Sequence, residues 1–121
     1  MASLSPLDPV ALTQSLIAAP SVTPATGTVF DVLANALAAI GFRVERFLDG
    51  DAPDGPVENL LAVRGDSGRH LGFAGHLDVV PPGDGWGGDG AFAPRITGGL
   101  LYGRGAVDMK GSIAAFVAAA A

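Results

Sequence analysis

Two short runs, Leu60–Val63 and Leu71–Ala74, carry no polar side chain and are separated by Gly65-Asp66-Ser67-Gly68. Four residues are too few for a stable helix, and the alternation of a half-solvated strand is missing. Runs of this kind suit strands covered on both faces of a sheet. A chain of 121 residues that is 49% hydrophobic can bury such a sheet, as one domain or part of one.

The covering layers are legible as helices. Asp8 caps a helix with Pro9 at its first position, where a missing N–H costs nothing, and Leu12, Leu16 and Ala19 share its face before Pro20 ends it. A second helix runs from Thr28 to Ile40, with Asp31 favouring its positive end and Phe30, Leu33, Leu37 and Ile40 as its buried stripe. Gly41 is the expected left-handed cap, and Phe42–Phe47 alternates like a half-exposed strand. Gly50–Gly55, with Asp51, Pro53 and Asp54, reads as a surface loop.

Between Pro81 and Gly90 lie two prolines, five glycines and Trp86, a composition for an ordered loop around a site. Phe92–Thr97 and Leu100–Tyr102 flank Gly98-Gly99, which marks a two-residue hairpin. From Ser112 onward Ile113, Phe116, Val117 and Ala120 share a helix face, and the run of four alanines has no capping residue, so the chain reads as stopping inside a helix. The expected architecture is α/β, a mixed sheet flanked by helices, with residues 1–121 forming a partial domain.

Seven Lys and Arg stand against twelve Asp and Glu, a net charge of −5 without any basic run, which argues against nucleic-acid or anionic-membrane partners. With no cysteine, a thiolate metal site or Cys nucleophile is excluded, and any metal must use His and carboxylates. No Lys or Arg precedes Arg43, and Thr13, Gln14 and Ser15 interrupt the apolar stretch Val10–Ala19. That is neither a signal peptide nor a membrane span, so a cytoplasmic protein is expected.

Two segments carry candidate chemistry. In Gly75-His76-Leu77-Asp78-Val79-Val80-Pro81-Pro82-Gly83-Asp84 a buried strand delivers an imidazole and a carboxylate to a Gly/Pro loop. A metal-binding His needs an acceptor on its second ring nitrogen, and Asp78, two positions along the same strand face, suits that role. The bland alternative is that His76 and Asp78 only cap a strand and turn. In Gly103-Arg104-Gly105-Ala106-Val107-Asp108-Met109-Lys110-Gly111-Ser112 a carboxylate sits between a glycine turn and a helix start, where Asp108 could also be an ordinary N-cap. Nucleotide-binding readings fail on spacing: Met109, not Gly, precedes Lys110, and Asp108 occupies the place of a third small residue. His70 reads as a solvated loop residue, while Trp86, Arg104 and Lys110 stay open between packing and substrate contact.

Taken together, Gly-His-x-Asp-Val-Val-Pro and Gly-Arg-Gly-Ala-x-Asp-Met-Lys-Gly-Ser, separated by a Trp-containing loop, resemble the aminoacylase/carboxypeptidase metallohydrolases. The resemblance runs from about Asp8 to Ala121 and implies the N-terminal part of a zinc-exopeptidase-like catalytic domain. It implies two divalent ions, zinc or cobalt, with His76 a ligand of one, Asp108 bridging both, Asp78 orienting His76, and a cis peptide after Asp108. Leu77, Ala91 and Gly98 depart from the family pattern without touching these positions. Paired glutamates, a further carboxylate ligand and a last His of the family are expected beyond Ala121. Val79-Val80-Pro81-Pro82-Gly83-Asp84 and Gly103-Arg104-Gly105-Ala106 favour the branch that hydrolyses N-succinyl-LL-2,6-diaminoheptanedioate, a small-molecule substrate, in a homodimeric enzyme. The rivals are a family member acting on acetylornithine or a peptide, and a non-catalytic piece that only binds a partner.

Overall fold

The computed structural model describes residues 8–53 and 55–121; Ser5, Pro6, Leu7 and Asp54, which the sequence places before the first helix and in the Gly50–Gly55 loop, lie outside them. Helix α1 spans Pro9–Ala18, and its Asp8 cap accepts from the N–H groups of Val10 and Ala11 at 2.9 and 3.4 Å. Leu12, Leu16 and Ala19 are buried, as the face pattern required. Helix α2 covers Thr28–Ala39, with Ile40 at its cap and Gly41 at φ +92° after it. The N–H groups of Gly41 and Phe42 return to the carbonyls of Ala38 and Leu37, which satisfies two orphan acceptors of the last turn.

Strands β1 (Arg43–Asp49) and β2 (Val57–Val63) form an antiparallel hairpin with Arg43 opposite Val63 and Asp49 opposite Val57, and α2 packs on it. Arg46 on β1 bonds both Asp31 in the first turn of α2 and Glu58 on β2, while Glu58 Oε1 accepts the Gly27 N–H at 2.8 Å. The Arg46 guanidinium, helped by that N–H and opposed by burial, holds Glu58 below the usual carboxylate range. A carboxyl with a lowered folded pKa stabilises above its ordinary value of 4.5, and the contribution is lost as pH falls through the lowered value. Glu58→Gln is therefore expected to cost about 0.3–1 kcal/mol at pH 7, the usual worth of a charge at a helix N-terminus. Urea unfolding at pH 7 and at pH 3 checks this; equal midpoints for variant and parent at pH 7 would refute it.

Strands β3 (Arg95–Thr97) and β4 (Leu100–Tyr102) pair with Thr97 opposite Leu100. Gly98 and Gly99, at φ +60° and +78°, make the two-residue turn that positive φ reserves for residues without a Cβ. The first strand is shorter than the expected Phe92–Thr97, because Ala91–Ala93 turns and Pro94 has no N–H to give a ladder. Helix α3 (Gly111–Ala120) packs on α1, and Ile113, Ala114 and Val117 join Leu16, Val29, Leu33 and Leu77 in one core. No described helix is long and apolar enough to cross a membrane.

Two expectations are corrected. Neither short apolar run is buried on both faces: Leu60–Val63 lies in β2 with Leu61 52% exposed, and Leu71–Ala74 is extended chain without a ladder, with Leu71 90% exposed. Nor do the strands form one mixed sheet; among the described residues there are two separate two-stranded antiparallel sheets. The physical reason is that apolar side chains favour burial, whereas a strand exists only when a neighbour takes its N–H and C=O groups. Here an open groove of about 1070 Å³, lined by Leu60, Phe30, Leu71, Phe73 and Phe116, separates β2 from residues 69–78. This stretch is held by packing, with the Phe73 ring stacked 4.6 Å from Phe116. A parallel bridge joins Val79 to Val22.

Candidate functional site

His76 and Asp78 flank Leu77, whose side chain is anchored in the core. The backbone on either side is strapped to the segment after α1: the Val79 N–H donates to Ser21 O at 2.9 Å, the Thr23 N–H to Val79 O at 3.1 Å, and Ser21 Oγ to Leu77 O at 2.7 Å. Leu77 inward and its two neighbours outward is the period-two consequence of an extended chain.

Asp108 arrives from the other side on a wide turn, Ala106–Lys110, closed by the Lys110 N–H to Gly105 O at 2.8 Å. Gly105 has φ +94°, and a Cβ there would stand 2.8 Å from Val79 Cγ1, so the turn can approach the strap only as glycine. The peptide from Asp108 to Met109 is cis, as the family resemblance implied. Asp108 does not cap α3, whose start has no side-chain cap.

The turn is fixed by its next two residues. Met109 Sδ accepts the His76 N–H at 3.4 Å. Lys110, at 0% exposure, donates from Nζ to Leu16 O at 2.6 Å and Ala19 O at 3.3 Å, and burial lowers its pKa to about 8. These carbonyls belong to the C-terminal end of α1, where the helix dipole favours a cation. Lys110 is thus an anchor and not a substrate contact, a role its sequence neighbours give no sign of because the partners lie 94 and 91 positions away.

All three expected site residues meet. His76 Nε2 lies 2.9 Å from Asp108 Oδ1; His76 Nδ1 lies 3.0 Å from the Asp78 carbonyl oxygen and 3.2 Å from its Oδ1. The Asp78 carbonyl, then the Asp108 carboxylate, raise the His76 pKa above the ordinary histidine value, against an opposing effect of burial. Both ring nitrogens face acceptors. A neutral imidazole that donates from Nδ1 turns its Nε2 lone pair toward the Asp108 carboxylate, so the arrangement calls for a second proton or for a cation shared by Nε2 and the carboxylate.

An imidazole nitrogen and a carboxylate oxygen at this separation suit one divalent ion, whose bonds to such donors run about 2.0–2.2 Å. The donor set fits a metal but does not complete its shell: among the described residues no group of three or more His, Asp or Glu side chains could hold an ion.

The Pro82 to Arg104 region is stitched to itself. Trp86 Nε1 and Arg104 Nη2 both donate to Pro82 O, at 2.9 and 3.2 Å, and the guanidinium lies 5.1 Å over the Trp86 ring. Both side chains pack within this loop, and Arg104 Nε is buried without a hydrogen-bond partner. His70 is exposed, as expected of a loop residue. Thr23, absent from the sequence-based candidates, donates from Oγ1 to Asp78 Oδ2 at 2.5 Å. The contact spans 55 positions, so no local pattern could have shown it.

Residues 72–121 match the family described as Peptidase family M20/M25/M40. The chain is 74% identical over 95% of its length to the succinyl-diaminopimelate desuccinylase of Sphingopyxis alaskensis. It is 66% identical over 95% to that of Rhizorhabdus wittichii and 62% identical over 98% to that of Novosphingobium aromaticivorans. It spans about 30% of the length of the first two of these relatives and 32% of the third. Both motifs fall inside the matched residues 72–121.

Proposed function

We propose, from this kinship, that the chain is part of the catalytic domain, zinc-exopeptidase-like in fold, of a two-metal amide hydrolase converting N-succinyl-LL-2,6-diaminoheptanedioate and water to succinate and LL-diaminopimelate. The observation that supports the chemistry is His76 Nε2 set 2.9 Å from Asp108 Oδ1 while Nδ1 is engaged by Asp78. His76 would hold one divalent ion and Asp108 would be shared by two, zinc or cobalt. When bound, such ions polarise a scissile carbonyl and make water nucleophilic near neutral pH.

This chain's own residues prepare the site. Asp78 accepts the Nδ1 proton, which selects the tautomer with a free Nε2 lone pair and fixes the ring plane. Asp108, whose side chain is 82% exposed, sets Oδ1 against His76 Nε2 at 2.9 Å. Ligands and a general base outside these 121 residues complete the constellation. The substrate is a small N-acyl amino acid, handled by a cytoplasmic homodimer with neither nucleic acid nor membrane as partner.

The relatives' names favour the succinyl substrate over the acetylornithine alternative, and a direct comparison tests it. The complete enzyme should show higher kcat/KM for N-succinyl-LL-2,6-diaminoheptanedioate than for acetylornithine, by about 100-fold or more, since a site that hydrogen-bonds a polar group strongly rejects analogues lacking it. The reverse order would assign it to the acetylornithine branch.

A further inference from the structure

We propose that Thr23 is a positioning residue of this site, holding the Asp78 carboxylate in the orientation from which it fixes His76. The inference rests on the functional reading above and adds a residue outside both motifs. The two carboxylate oxygens of Asp78 divide the work: Oδ2 accepts from Thr23 Oγ1 at 2.5 Å, and Oδ1 lies 3.2 Å from His76 Nδ1, beside the Asp78 carbonyl that takes the ring's hydrogen bond at 3.0 Å. A second acceptor, Val79 O, stands 3.4 Å from the same hydroxyl. A hydroxyl has one proton to give, and the shorter contact to the ionised oxygen takes it.

The need for a third group follows from exposure. The Asp78 side chain is 38% exposed, so water competes for its oxygens and a fixed donor is needed to hold one rotamer. Thr23 supplies that selection because its own backbone is fixed, through its N–H on Val79 O and the parallel bridge between Val22 and Val79. Being β-branched, threonine also has few χ1 states to lose. The order thus passes from the backbone strap to Thr23, from Thr23 to Asp78, and from Asp78 to the imidazole. An exposed residue contributes little packing, so Thr23 can be altered with little effect on folding.

The test compares Thr23→Val, which keeps the shape and removes the hydroxyl, with Thr23→Ser, which restores it, and Asp78→Asn, all in the complete enzyme. Outer partners of a metal-binding His typically carry a 10- to 100-fold effect on metal affinity or activity. Thr23→Val should weaken zinc binding, measured by competition with a chelator, about 10-fold and lower kcat similarly with little change in KM. Thr23→Ser should recover most of both, and the melting temperature should stay near that of the parent. Thr23→Val introduced into Asp78→Asn should add almost nothing, since its effect runs through the carboxylate. If Thr23→Val misfolds, Thr23→Ala carries the same comparison. Parental zinc affinity and kcat in Thr23→Val, with Asp78→Asn impaired, would overturn the proposal and leave the site reading standing. A harmless Asp78→Asn would show that the Asp78 carbonyl alone orients His76, overturning the role of the Asp78 carboxylate and this proposal with it while His76 and Asp108 keep theirs.

Discussion

Asp108→Ala in the complete enzyme is expected to lower kcat/KM by about 10³-fold or more and to reduce retained metal at both positions. The magnitude follows from what a bridging carboxylate makes possible. Bound metals supply several kcal/mol of transition-state charge stabilisation, and about 1.4 kcal/mol corresponds to tenfold in rate. Asp108 faces His76 Nε2 at 2.9 Å, so its loss removes one of the two donors this segment brings together. The effect should not come from unfolding: the Asp108 side chain is 82% exposed, and the turn is held instead by Lys110 on α1 and Met109 on the His76 N–H. His76→Ala should differ, weakening one metal and leaving the other. The measurements are metal content after dialysis and steady-state kinetics on N-succinyl-LL-2,6-diaminoheptanedioate. Two metals retained with undiminished turnover in Asp108→Ala would remove it from the bridging role.

The 121-residue chain by itself, supplied with zinc, is expected to show no turnover of the same substrate. The argument is a ligand count. Only His76 and Asp108 converge on a common point, and no cluster of three metal-binding side chains exists among the described residues. A catalytic zinc typically has about three protein ligands. The proposed general base lies outside these residues, and positioned proton transfer is a contribution worth roughly 10²–10⁴-fold. Weak metal binding and missing proton transfer multiply, which places the expected rate below detection. Turnover comparable with the complete enzyme, abolished by His76→Ala to exclude a contaminant, would show that two ligands suffice.

The three candidate site residues stand out in the sequence through local signals, a His and an Asp two apart on extended chain and an Asp between a glycine turn and a helix, and the family resemblance supplies their proposed roles. The same holds for the Asp8 cap, the Gly98-Gly99 turn and the apolar faces of the helices, all set by neighbours within a few positions. The strands expected at Leu60–Val63 and Leu71–Ala74 show where this stops. Their side chains are alike, yet one forms a ladder with β1 and the other does not, since a strand's backbone bonds depend on what lies beside it.

Sequence alone therefore determined which residues are apolar, where helices and turns begin and end, and which side chains have metal-binding chemistry. Only the tertiary structure decided that Thr23 reaches Asp78 across 55 positions and that Lys110 plugs the end of α1 across 91 and 94. It also decided that Nε2 of His76 is the nitrogen turned to Asp108. Periodicity and capping act over one or two turns of chain, whereas a buried ammonium or an oriented carboxylate is satisfied by whichever atoms the fold brings within about 3 Å.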